Sequence, residues 1–420
     1  GGGIFVSQSN ADIKMVDTII TKNSAPQAGG IYCNGSGASI VMSGNSGLSQ
    51  NTTTGKGGGA YITGGCEFTM YSGIANPTAF TTVGISANIA DEEGGGIYAD
   101  SGGKIVLNGH KDCSQTCIGD NSNPVSVNNN KSNSGLSSGE RGGGIYITGS
   151  STTAKLYAVL FSENLSPNGG AIYVNDFANL TVERLSQDCW DSVKCNYFHD
   201  NLSFATGGAI QNDQGFINIS STYFEENKGS SGSVLYAFGN NSHNVFEGCV
   251  FNNNNSQGNS DDFVIRAAVS ASVEVSHSTF ADNFITNTSV FGITADSELK
   301  LFSSIIHDLD GDVLDTNPGN VVSDCLMVHE AFSLSGITST NLFLDDPEFV
   351  DRNNRNYHLN INTSPAIDRC DDSMANLQFK DIDFDDRGID DVNVNNFNGP
   401  YDLGADEAVI NDIIFKNGFE

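Results

Sequence analysis

Two short patterns recur along this chain, always in the same order. The first is an apolar residue with an asparagine three places on: "FSEN" at Phe161, "FHDN" at Phe198, "FEEN" at Phe224, "FNNN" at Phe251 and "FADN" at Phe280. Relaxed copies precede them: "ITKN" at Ile20, "MSGN" at Met42, "ISAN" at Ile85 and "IGDN" at Ile118. The second is a glycine run before an apolar residue: "GGGIY" at Gly94 and Gly142, "GGAIY" at Gly169 and "GGAIQ" at Gly207. A pattern this frequent cannot be one active-site loop. Successive asparagines lie roughly 22 to 43 residues apart, the spacing of a solenoid coil with loop insertions.

Apolar alternation fills the space between the landmarks. Ile13 and Met15 alternate, a step of three reaches Thr18, and Ile20 follows. Ile217, Ile219, Thr222 and Phe224 repeat the arrangement, as do Val273, Val275, Ser278 and Phe280. Period two puts one face of a strand inward, and a step of three reverses the parity, so the chain must bend there. After the Asn comes another bend, then the glycines, then an inward pair such as Ile145 and Ile147 or Ile172 and Val174.

Three strands and three bends per coil predict an all-β, right-handed parallel β-helix, a three-sheet solenoid of about 11–12 coils. It is expected over residues 1–345, with an irregular acidic region over 346–420 suited to covering an end. Coils stack about 4.8 Å apart, so like residues meet like. Phe161, Phe198, Phe224, Phe251 and Phe280 should form one interior stack. Asn suits a bend because it tolerates the left-handed conformation and bonds neighbouring backbone. Glycine suits the next corner, where positive φ or close approach is needed.

Gln211 stands where other copies have Tyr, and Gln is a poor interior residue. Tyr32, Tyr61, Tyr98, Tyr146 and Tyr173 are therefore expected to point outward on one sheet. Such a stripe can stack on sugar rings or can simply brace the sheet.

Nine cysteines make an odd count. Cys113 with Cys117 and Cys189 with Cys195 read as small disulfide loops, which implies an oxidising compartment. Their spacings fit zinc poorly. Both loops fall at the bend between the first and second strands of a coil. Cys249 aligns with Thr222 and Ser278, an inward position, and is expected free and buried. Cys33 with Cys66 and Cys325 with Cys370 are further candidate pairs.

Lys and Arg number 19 against 50 Asp and Glu, a net charge of −31. That surface repels nucleic acid and anionic lipid. No apolar run approaches the ~18 residues of a membrane span. "GGGIF" at Gly1 is already a copy of the repeat, so a leader or further repeats are expected upstream.

The pairing of F-x-x-N with G-G-A-I, over residues 1–283, resembles the repeat of polymorphic outer membrane proteins and related surface proteins. Three later motifs, "DPEFVDRNNRNYHLNINTSPAID" from Asp346, "DIDFDDRG" from Asp381 and "YDLGADE" from Tyr401, resemble the C-terminal part of secreted pectin-lyase-like (choice-of-anchor Q type) β-helix proteins. These resemblances imply a β-helix outside the cell and assign no activity. The closing "IIFKNGFE" is similar to short C-terminal tails of some secreted Gram-negative proteins.

Asp381, Asp383 and Asp385 alternate ahead of Gly388, and such carboxylates suit calcium, although the distant Glu of an EF-hand is missing. The alternative reading has Arg387 pairing with acids to pin the closing segment. Lys and Arg are scattered, and acids in "FEEN" and "FADN" read as solvated corners, so neither lyase nor hydrolase chemistry is assembled by spacing. The expected role is structural or adhesive, at the cell surface or secreted. The expected partners are surface glycans or further copies stacked head to tail into a fibre on an uncapped first coil. The rival is a polysaccharide-active β-helix enzyme or a carbohydrate-binding module.

Overall fold

Each coil makes a short strand wherever the sequence alternates. In one coil these are Ile172–Asn175, Asn179–Glu183, Asn196–His199 and Leu202–Thr206. The computed structural model describes residues 1–71, 84–109, 124–132, 139–185, 195–255, 263–286, 288–315, 319–329, 341–371, 380–391 and 393–409. Counterpart strands pair in parallel from coil to coil, in sheets of 11, 21 and 6 strands. The result is an all-β, right-handed parallel β-helix, the hand that parallel crossovers adopt.

The three sheets divide the coil differently from the expectation of three strands and three bends. The 21-stranded sheet holds two arms, separated in each coil by the step of three; in Glu298–His307 they are one continuous strand. The third sheet consists of short strands between the Asn and the glycines, such as Ser24–Ala25 and Thr52–Thr53. Stacking the asparagines brings these few residues to pairing distance.

The asparagines form a ladder, buried from Asn51 onward. Asn23, Asn51, Asn88, Asn130, Asn164, Asn201, Asn227, Asn254 and Asn283 each donate from Nδ2 to the next rung's Oδ1 at 2.9–3.3 Å, ending on Asp308. Each Oδ1 also accepts the preceding rung's backbone N–H, as Asn201 does from Asn164 at 3.2 Å. The left-handed residue is not the Asn but the one before it: Gln50, Ala87, Glu163, Asp200 and Asp282 have φ between 49° and 57°. Its turn aims the Asn side chain inward, where only a full hydrogen-bond set makes burial tolerable.

The ladder also corrects the expected rungs. The copy at Met42 is not a rung; Leu48–Asn51 and Val127–Asn130 supply rungs, and the copy at Ile118 lies outside the described residues. Met42 belongs to the first arm, paired with Met15 and Met70, and Asn45 is outside the ladder. The segment that carries the Asn130 rung includes the strand Val125–Asn128. In a chain this rich in Asn, Ser and Gly, a four-residue pattern arises by chance.

The aromatic stack forms as expected. Phe161, Phe198, Phe224, Phe251 and Phe280 are fully buried and stack in order with centroids 4.2–5.1 Å apart. At the glycine corner two constraints act on successive residues. Gly94 has φ +67°, and a Cβ on Gly95 would lie 2.5 Å from the Gly143 carbonyl oxygen of the next coil.

The C-terminal residues take a different place from the expected end cover. Tyr223, Val250, Thr279, Ile305 and Met327 form one outward ladder on the second arm. Tyr357, Ile382 and Ala405 pack on Val250, while Leu359, Ile367 and Leu403 pack on Ile305 and Met327. The described C-terminal residues thus lie along the flank, running back over several coils. The outward apolar ladder is what they bury.

Candidate functional site

The tyrosines share one face in register: Phe5, Tyr32, Tyr61, Tyr98, Tyr146, Tyr173 and then Gln211. They form a cluster separate from the solenoid core, with Tyr98, Tyr146 and Tyr173 only 1–3% exposed. Charged groups cover them. Lys56 sits 4.6 Å from the Tyr98 ring centroid and Arg141 5.1 Å from that of Tyr173, and both pair with Glu93. The hydroxyls of Tyr61 and Tyr173 donate to Asp100 and Asp213. Tyr32 and Tyr61 are half-buried, and Phe5 is exposed beside Tyr32.

Two disulfides are described. Cys33–Cys66 ties adjacent coils, and Cys325–Cys370 ties the last long strand to the C-terminal segment. Cys195 is also disulfide-bonded; Cys113, Cys117 and Cys189 lie outside the described residues. Cys249 is free and buried, with burial pushing its thiol up to about 12.

On the flank, residues that sequence spacing left apart come together. Acids read as solvated corners are covered there. Glu225 is 3% exposed, accepts the Tyr197 hydroxyl at 2.6 Å and pairs with Arg355. Asp282 receives a bidentate contact from Arg352 and the Tyr357 hydroxyl at 3.0 Å. A one-dimensional pattern marks such acids as exposed because their cover arrives 70 to 130 residues later.

The three candidate metal ligands separate. Asp381 is fully buried and organises the turn. Its Oδ1 accepts the Asp383 and Asp385 N–H groups at 2.9 and 2.7 Å, and its Oδ2 accepts that of Glu407 at 3.0 Å. Asp383 turns instead toward His358, whose Nε2 lies 2.8 Å from its Oδ2. Arg387 is buried, donates to the Gly404 and Ala405 carbonyls and faces Glu407 at 3.9 Å. Burial pushes the Glu407 carboxyl up to about 7, against the pull of Arg387. The Arg387 side chain thus pins the closing segment.

A pocket of about 150 Å³ lies between this segment and the outer ladder, lined by Tyr223, Val250, Arg355, His358, Ile382 and Asp406 among others. Arg184 donates to the carbonyl of Ile382, one of the lining residues, at 2.6 Å; burial lowers its pKa, opposed by the nearby Asp383. Sequence reasoning missed His358 and Asp406. The cue was present in the two C-terminal motifs that contain them, but no spacing rule joins residues from separate segments.

Among the described residues no helix is long and apolar enough to cross a membrane. No curated protein matches the chain. A family model for the Chlamydia polymorphic membrane protein (Chlamydia_PMP) repeat matches residues 158–175. That stretch runs from the kink at Ala158 through Phe161 and Asn164 to Gly169 and Tyr173, so the chain is similar to that repeat over one aromatic rung, one ladder asparagine and one glycine corner.

Proposed function

We propose that this protein is a cell-surface or secreted β-helix scaffold with a structural or adhesive role. The observation that carries the reading is the repeat match at residues 158–175, because it falls on the residues that build the coil. Disulfides at Cys33–Cys66 and Cys325–Cys370 support an oxidising location. The acidic surface suits contact with cations or neutral glycans, with sugar stacking confined to Tyr32, Tyr61 and the neighbouring Phe5. Head-to-tail stacking of further copies is the self-association that a solenoid of parallel coils permits. Labelling of intact, unpermeabilised source cells with an antibody to the chain tests the location. Surface signal or recovery from the medium is expected. Retention in the cytoplasm with reduced cysteines overturns the reading.

A further inference from the structure

Three separate stretches meet at the flank pocket. His358 lies on the strand Asn356–Leu359, Asp383 just after the buried Asp381, and Asp406 in the last described segment. One donor atom from each lies within 4.8 Å of the others.

The ring of His358 is oriented by chemistry on its far side. Its Nδ1 faces the Asn356 Oδ1, which also accepts the His358 backbone N–H at 3.2 Å. That second contact identifies the Asn356 atom as oxygen, so Nδ1 is the donor. Nε2 then presents its lone pair to a carboxylate oxygen 2.8 Å away. Two lone pairs at that distance repel unless a cation, a proton or a metal ion, sits with them. An imidazole whose other nitrogen donates to an oxygen is the usual support of a metal ligand. The Asp406 carboxylate is also held by backbone, its Oδ2 accepting the Leu359 N–H at 2.7 Å, and the main chain that carries Asp383 is fixed by its own N–H donating to Asp381 Oδ1 at 2.9 Å.

We propose that His358, Asp383 and Asp406 form a site for a divalent transition-metal ion of the zinc class. One imidazole and two carboxylates suit zinc better than calcium, which takes six to eight oxygens. Tetrahedral bonds of about 2.0–2.1 Å need donors about 3.3 Å apart, so the His358–Asp383 contact opens slightly and Asp406 closes in. His358 and Asp406 both line the pocket beside Tyr223. The ion ties three segments of the flank layer together, so its binding energy adds to the stability of that layer. Arg184 and Arg355 nearby weaken the binding, and Arg355 is already engaged with Glu225 and Glu226.

The test uses the full chain stripped of metal. Calorimetric titration with Zn²⁺ should give one saturable equivalent at micromolar concentrations or below. Co²⁺ should give the visible absorption of a four-coordinate nitrogen–oxygen site. His358→Ala and Asp383→Asn should each lose at least tenfold in affinity, while His199→Ala, altering a histidine elsewhere on the surface, binds as the wild type. Zn²⁺ should also protect His358 from diethylpyrocarbonate in peptide mapping, a readout that needs no variant. Absence of stoichiometric uptake by the wild type, uptake unchanged in His358→Ala, or Ca²⁺ uptake without Zn²⁺ uptake overturns the assignment.

Discussion

Asp308 stands at the end of the buried ladder next to Asn283, accepting its backbone N–H at 2.6 Å and its side-chain amide at 3.0 Å. Every earlier rung is an amide that donates onward to the next rung and, from Asn51 on, also back to a carbonyl of the preceding coil, as Asn283 does to that of Phe251 at 2.9 Å. Asp308 can donate only when protonated. Burial pushes its carboxyl up to about 7, opposed by the bonds from Asn283, with Asp282 raising it and Arg352 lowering it further out.

The folded protein therefore holds a proton that the unfolded chain releases near pH 4. The Asp308 contribution to stability should fall as pH rises from about 4 to about 7 and level off above that, with a ceiling of about 4 kcal/mol. Asp308→Asn removes this titration and restores a donor. The variant should gain stability at pH 8 and little at pH 4 in urea denaturation. Equal effects at both pH values would show that Asp308 does not hold the proton.

Phe224 touches Phe198, Phe251 and Phe246 in the interior stack. Phe224→Ala should cost about 3–5 kcal/mol, the range for truncating a buried aromatic. In a solenoid each coil contacts only its neighbours, so hydrogen exchange should accelerate most in the flanking coils. Uniform acceleration along the chain would contradict this nearest-neighbour picture.

Cys33–Cys66 closes a 33-residue separation across adjacent coils. Replacing both by serine should cost about 3–4 kcal/mol on loop-closure grounds. Cys249 should resist alkylation in the native state and react once the protein is unfolded, because its thiol is buried and its pKa is pushed up to about 12. Mass spectrometry with and without denaturant checks this.

Arg387 and Glu407 have fully buried side chains, and Arg387 holds the Gly404 and Ala405 carbonyls. Arg387→Met leaves a carboxyl and two carbonyls without their cation. The expected cost is about 3–5 kcal/mol, the range for breaking a buried pair from one side. Limited proteolysis should cut the C-terminal segment first while the solenoid persists. An unchanged cleavage pattern would show that Arg387 is not the pin.

The repeat itself determined the coil. Alternation at Ile217, Ile219, Thr222 and Phe224 marks two inward strands and the kink between them, because side-chain parity is a local property of the backbone. Recurrence then stacked the phenylalanines, since each coil must meet its neighbour in register. Local pattern could not tell the "MSGN" of Met42 from a true rung, because a rung is defined by the amide of the next coil. Nor could it show that Glu225 is covered by Arg355 or that His358 meets Asp383 and Asp406. Those contacts join residues with no shared period, brought together when the C-terminal segment laid its apolar side chains on the outward ladder of Tyr223, Val250 and Ile305. Periodic burial is written along the chain; the partner of a non-repeating segment is chosen by the surface it buries, which exists only once the solenoid has formed.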